Sequence, residues 1–206
     1  MASDDIEEIT MVNNFFAMMS RMKYIDRWAL MRNSYTENIS EHSLEVSMLT
    51  HALCVIGNKR LGKKLDAERA VLVALYHDAS EIITGDMPTP IKYLNKDIKG
   101  AFKDIEAKAN LRLLDMLPDD MKEDYYEIFF PKDDMGYELK LVKAADKLSA
   151  LIKCIEEGKM GNLEFKSAGN TLENSVKDMH LEEADIFMRE FLPAYHLTLD
   201  ELNEKR

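Results

Sequence analysis

The stretch VALYHDASEIITGDMPTPIK, residues 73–92, opens as apolar helix and then sets His77 beside Asp78, with Glu81 four residues after the histidine. Groups of this kind are seldom buried unless they pair with one another or bind a metal. The run starts after Asp66, a side chain suited to an N-cap. Val71 to Tyr76 make it apolar nearly all round, so it reads as one buried helix over 67–84. On such a helix Glu81 lies i+4 from His77 and i+3 from Asp78, above the same patch. Adjacent His and Asp diverge by about a quarter-turn, near enough to converge on one ion.

Two further helices carry matching anomalies. Before the run, Asn38 and Glu41 have capping-box spacing, with Gly57 suited to the C′ position of a helix over 39–56. At about 100° per residue, His42 shares a stripe with Val46, Leu49, Leu53 and Ile56, so it faces the core. His51 falls on the opposite face and reads as a surface histidine. After the run, YELKLVKAADKLSALIKCI (137–155) puts Asp146 on a stripe with Leu139, Val142, Ser149 and Ala150. Taken singly, His42 is an ordinary hydrogen-bonded core histidine and Asp146 half of an ion pair with a lysine such as Lys143. Taken together, two His and two Asp facing the core form a mixed N/O set suited to a borderline divalent metal.

The rest of the chain is consistent with an all-α protein. No segment shows sustained period-two alternation, and helical periodicity recurs near 4–24, 97–117, 119–129, 136–158, 163–178, 181–192 and 198–204. Two loops interrupt it, 26–38 and 85–95, the second stiffened by Pro88 and Pro90. The 206 residues suit one domain over 1–206, with residues 1–14 an acidic leader helix of no assigned role. Met11, Met18, Met19 and Met22 read as core or dimer filling. No run of ~18 uncharged apolar residues exists to span a membrane, and MASDDIEEIT lacks the features of a signal peptide, so a cytoplasmic location is expected. A formal charge of −11 excludes a nucleic-acid polymer held by phosphate contacts, though not a small phosphorylated substrate. Cys54 and Cys154, with no CxxC spacing, read as inert core thiols.

The order His42, His77–Asp78, Asp146 resembles the HD-domain metal-dependent phosphohydrolases. RWALMRNSYTENISEHSLEVSM (27–48), ALYHDASEIITGDMPTPIKY (74–93) and LVKAADKLSALIKCIEE (141–157) resemble more specifically the bacterial 5′-deoxynucleotidases of the YfbR-like branch, over about Phe15 to Leu199. The resemblance implies an all-α HD-domain helical bundle, a homodimer, that hydrolyses deoxyribonucleoside 5′-monophosphates to deoxynucleoside and phosphate. It implies one divalent transition metal (Co, Mn, Fe or Zn) held by His42, His77, Asp78 and Asp146, with His42, Asp78 and Asp146 also bordering the substrate. Arg27 would orient the phosphate and Trp28 lie by the sugar. Asp86, Met87, Pro88 and Thr89 would form the substrate loop, and Glu81 would be the acid–base carboxylate.

The residues can carry that chemistry. Phosphomonoester hydrolysis needs charge stabilisation on the phosphoryl oxygens and an activated water, which a metal with open positions supplies. Arg27 can grip phosphate bidentately, and Glu81 can relay a proton. Trp28 offers its ring to a sugar or to the core, and Lys92 is either a phosphate contact or a solvated lysine. The alternatives left open are an HD hydrolase of another nucleotide, such as a triphosphate, and a non-catalytic metal- or nucleotide-binding protein.

Overall fold

The computed structural model describes residues 12–92 and 94–204. Among them the chain forms α1 (Phe15–Met19), α2 (Ile39–Arg60), α3 (Ala67–Tyr76), α4 (Glu81–Thr84), α5 (Thr89–Lys92), α6 (Lys96–Leu114), α7 (Lys122–Phe129), α8 (Glu138–Lys159), α9 (Lys166–Lys177), α10 (Glu182–Glu190) and α11 (Leu199–Asn203), joined by short 3₁₀ turns. The only extended pairing among the described residues is an isolated antiparallel bridge between Asp26 and Asn38. The all-α expectation holds.

α2 starts where the capping box places it: the Asn38 side chain accepts from the Ser40 and Glu41 N–H groups, and the Glu41 side chain accepts from the Asn38 N–H. The Asp66 carboxylate caps α3 by accepting from the Arg69 N–H. The stripe of α2 is buried as the periodicity predicts, with Val46 and Leu53 fully enclosed. It packs with Val73 and Ala74 of α3, Leu141, Leu148 and Ile152 of α8, and Ala184 and Phe187 of α10 in one apolar core. A buried Leu, Ile or Phe there contributes about 1.5–3 kcal/mol. A second cluster joins Phe15, Ala79, Leu113, Leu117 and Phe129, with the Phe15 ring edge-on to Tyr125 at 5.0 Å. Met22 is buried and Met18 and Met19 pack on this second cluster, so the methionines of the first helix fill core; Met11 lies outside the described residues.

Four expectations are corrected. The helix over 4–24 is only α1 followed by a 3₁₀ turn over Ser20–Tyr24, with 12–14 non-helical and 4–11 outside the described residues. The helix over 67–84 breaks after Tyr76 and resumes at Glu81. Between them the bonding tightens to i→i+3, Ala79 N–H to Tyr76 O at 3.0 Å and Glu81 N–H to Asp78 O at 3.0 Å. This break lies where the two cores meet, Ala74 belonging to the first and Ala79 to the second. Gly57 is no cap, since α2 continues to Arg60. A Cβ there would sit 2.6 Å from Leu65 Cδ1 and 2.8 Å from Glu183 Oε1, so Gly57 allows a close approach, and the left-handed turn falls to Gly62 at φ +68. The 85–95 loop is partly helical: Pro88 O accepts from Ile91 and Lys92, and Pro90 sits in the first turn of α5, where a missing N–H costs nothing.

Candidate functional site

Two helices and the break that follows a third deliver the cluster. His42, in the first turn of α2, is fully buried. His77 and Asp78 occupy the break after α3, and Asp146 lies in mid-α8, its side chain 43% exposed. One donor atom each of His42, His77 and Asp146 lies within 4.8 Å of the others. Asp78 Oδ2 reaches both rings, 3.5 Å from His42 Nε2 and 3.2 Å from His77 Nε2. His42 Nε2 is also 3.2 Å from Asp146 Oδ1.

The hydrogen bonds on the far side of each ring fix its tautomer. His77 Nδ1 is 2.7 Å from Ala74 O, which only accepts, so Nδ1 carries the proton. Ser149 Oγ donates to Glu45 Oε2 at 2.5 Å, which leaves the hydroxyl to accept from His42 Nδ1 at 3.0 Å. Both Nε2 lone pairs therefore point at carboxylate oxygens, acceptor against acceptor, and both are buried with no hydrogen-bond partner among the described residues. That arrangement calls for a cation between them, and the donor set fits a divalent transition metal. With protons alone as the cation source, burial works against an imidazolium at His77, yet the Asp78 carboxylate lifts its pKa to about 9. Asp78 pays for its own burial through His77, His42 and Arg27, which hold it far below the usual carboxylate range. Burial would raise the Asp146 carboxyl, and a proton on His42 Nε2 is what would hold it low instead, the part a cation between the two takes over.

Glu81 is buried beside this cluster, its Oε2 without a hydrogen-bond partner among the described residues. Burial, with Asp78 and Asp86 nearby, pushes its carboxyl up to about 9, so it holds a proton at neutral pH. Arg27 sits on the other side, Nη1 3.4 Å from Asp78 Oδ2 and Nε 3.0 Å from Glu37 Oε2. Burial opposes its charge, but Asp78 and Glu37 more than restore it.

Trp28 adopts φ +61, a left-handed conformation costing about 1–2 kcal/mol outside glycine. Its surroundings fix it there: the indole N–H donates to Glu37 Oε2 at 2.9 Å, the Trp28 carbonyl accepts from Met31 N–H at 2.8 Å, and the ring packs on Phe165 at 5.2 Å. Asp86, Met87 and Pro88 are half-buried on the segment leading into α5, and Thr89 is exposed. Lys92 is neither solvated nor free, its ammonium bonding Glu106 at 2.7 Å. His51 is exposed, as its helix face predicts, and Asp146 faces His42 while Lys143 is exposed.

A family model described as 5′-deoxynucleotidase YfbR-like matches residues 14–195. The chain belongs to the YfbR-like family. A 5′-deoxynucleotidase of Photorhabdus laumondii is 47% identical over 192 residues, covering 93% of this chain and 98% of that one. One of Vibrio cholerae is 47% identical over 191 residues, with the same coverage. In fold the chain is similar to an HD-domain phosphohydrolase of Listeria innocua, with a TM-score of 0.77, 20% identity and 88% of each chain covered. It is also similar to a cyanophage S-2L HD phosphohydrolase bound to dA and one catalytic Zn²⁺, with a TM-score of 0.62, 22% identity and coverage of 88% and 96%. The HD-domain helical fold is thereby established for this YfbR-like chain.

Sequence reasoning missed three residues around the site. Glu37 and Glu45 are acidic residues in charged stretches, indistinguishable there from solvated ones, and Ser149 was read only as part of a stripe. The signal for Glu45 and Ser149 is i+3 spacing from His42 and Asp146 respectively.

Proposed function

We propose that this YfbR-like protein is a metal-dependent 5′-deoxynucleotidase, a phosphoric monoester hydrolase that converts deoxyribonucleoside 5′-monophosphates to deoxynucleoside and phosphate. The observation that carries the reading is the pair of buried, unpartnered Nε2 atoms of His42 and His77 turned onto Asp78 and Asp146. The 5′-deoxynucleotidase relatives at 47% identity support the substrate class.

His42, His77, Asp78 and Asp146 would hold the ion, and Mn, Fe, Co and Zn all suit two imidazoles with two carboxylates. When bound, such an ion supplies Lewis acidity to the phosphoryl oxygens and a water that is nucleophilic near neutral pH. The Arg27 guanidinium binds the phosphate through its Nη edge and holds it for in-line attack. Glu81, protonated on its buried carboxyl, hands that proton to the leaving sugar oxygen. The Trp28 indole lies against C2′, and Asp86, Met87, Pro88 and Thr89 border the nucleoside. His42, Asp78 and Asp146 also line the phosphate pocket.

A homodimer is supported by Leu44, Met48 and Val55, an exposed apolar stripe along α2. Cys54 and Cys154, both buried free thiols, accord with the cytoplasmic location expected for the chain. No helix among the described residues is long and apolar enough to cross a membrane.

The deciding experiment is phosphate release from paired ribo- and deoxyribonucleotides, mono- and triphosphates alike, after metal stripping and defined reloading. Release of phosphate from deoxyribonucleoside monophosphates only on reloading supports the reading. Pyrophosphate from triphosphates, or metal-independent turnover, sinks it.

A further inference from the structure

Glu37 stands five residues before His42 and hydrogen-bonds none of the four cluster residues through its side chain, yet it is almost fully buried, 6% exposed. It closes the neck of the 26–38 loop, where the Arg27 N–H donates to the Glu37 carbonyl at 2.9 Å and Asp26 bridges Asn38. Its side chain then takes two donors on one atom. Glu37 Oε2 accepts from Arg27 Nε at 3.0 Å and from Trp28 Nε1 at 2.9 Å.

Two consequences follow from that geometry. An arginine held at Nε presents its Nη edge in a fixed plane, here towards Asp78. An indole held at Nε1, with its other side against Phe165, cannot rotate about either of its torsions without losing a buried hydrogen bond. Because the acceptor is one oxygen, the guanidinium and the indole are fixed relative to each other and not merely each to the protein. The bonds between phosphate and C2′ in a nucleotide confine their separation to a narrow range, so a guanidinium and an indole held at one spacing meet the phosphate and the sugar of the same molecule together.

We infer that Glu37 is a positioning residue that sets the 2′-deoxy selectivity of the site by locking the Arg27 guanidinium to the Trp28 indole. This rests on the assignment of Arg27 to phosphate and Trp28 to the sugar. Glu37 acts only through those two side chains.

Two conservative variants separate positioning from charge balance. Glu37→Asp keeps the charge and withdraws the oxygen by one methylene; Glu37→Gln keeps the reach and an acceptor oxygen but loses the charge. Misplacement by about 1 Å can cost on the order of a hundredfold in rate. Glu37→Asp is therefore expected to narrow the dAMP-to-AMP ratio of kcat/KM about tenfold, whereas Glu37→Gln stays within about threefold of the parent. The chain has a single tryptophan, so its emission reports the indole directly. Emission should shift in Glu37→Asp and stay near the parent's in Glu37→Gln, with metal stoichiometry unchanged in both. The reverse order, Gln disrupted and Asp preserved, or parental emission and ratio in both, overturns the inference. Trp28→Ala, run beside them, isolates the underlying assignment: if it leaves the ratio unchanged the sugar reading fails, whatever Glu37 does. If it narrows the ratio while Glu37→Asp does not, Glu37 alone is refuted.

Discussion

Ser149 and His42, 107 residues apart, meet at 3.0 Å between Oγ and Nδ1 inside the core. Because Ser149 gives its own proton to Glu45, it accepts from the ring and leaves Nε2 as a lone pair aimed at Asp78 and Asp146. Partners that hold a metal-binding histidine in one tautomer are typically worth about 10–100-fold in metal affinity. Ser149→Ala should lose about that much, read by competition with a chelator of known affinity. Parental affinity in a folded Ser149→Ala protein would mean that the tautomer is fixed by other means.

Glu81→Gln should keep stoichiometric metal and lower kcat by ~10²–10⁴-fold. The amide keeps the shape of a carboxyl that is buried and protonated, but its N–H protons are far too weakly acidic to be handed to a leaving oxygen. Elemental analysis beside steady-state kinetics makes the check. A metal-free Gln variant would make Glu81 a ligand.

Trp28→Ala should narrow the gap in kcat/KM between dAMP and AMP by about ten- to a hundredfold, the value of roughly 1–3 kcal/mol for a stranded 2′-hydroxyl. Arg27→Ala should lower both nearly equally, since the phosphate is common to the two. An unchanged ratio in Trp28→Ala would make the indole a packing residue against Phe165.

His51→Ala, His180→Ala and His196→Ala should keep both metal and turnover, because all three side chains are exposed and none belongs to the cluster. His77→Ala should lose both. Loss of metal from the His51 variant would contradict the burial of the opposite face of α2.

Glu157 supports stability in a defined pH window. It is fully enclosed, pairs with Lys153 at 2.6 Å, and accepts from the Ser34 N–H at 2.9 Å and Asn162 Nδ2 at 2.8 Å. Burial would raise its pKa, but these partners overcome that and bring it down to about 2. A carboxyl depressed on folding stabilises fully above its unfolded pKa, near 4.3, and that contribution fades as pH falls through about 2. Glu157→Gln should cost about 3–5 kcal/mol at pH 7, as for other broken buried pairs. The difference from the parent should shrink between about pH 4 and pH 2, measured by urea denaturation. A penalty independent of pH would assign the loss to packing.

Features that depend on neighbours within one or two turns were legible in the residues alone. The i, i+3, i+4 pattern turned His42 inward and His51 outward on α2, and the side chains of Asn38 and Asp66 set helix starts because a cap acts on an N–H two or three residues away. The His42, His77–Asp78, Asp146 order carried the family resemblance, and the helices that bear it packed into one core. Long-range packing set the remainder. The break after Tyr76 carries no Pro or Gly to announce it; it arises where the chain passes from one core to the other, and it leaves the Ala74 carbonyl within reach of His77 Nδ1. Gly57 looked like a helix stop because composition alone does not reveal that Leu65 and Glu183 press against it. The Ser149–His42 contact, the Lys153–Glu157 pair's hold on Ser34 and the shared oxygen of Glu37 join residues whose spacing has no helical period. Such partners are chosen by how whole helices and loops pack, and a buried charge accepts whichever donor that packing brings to it.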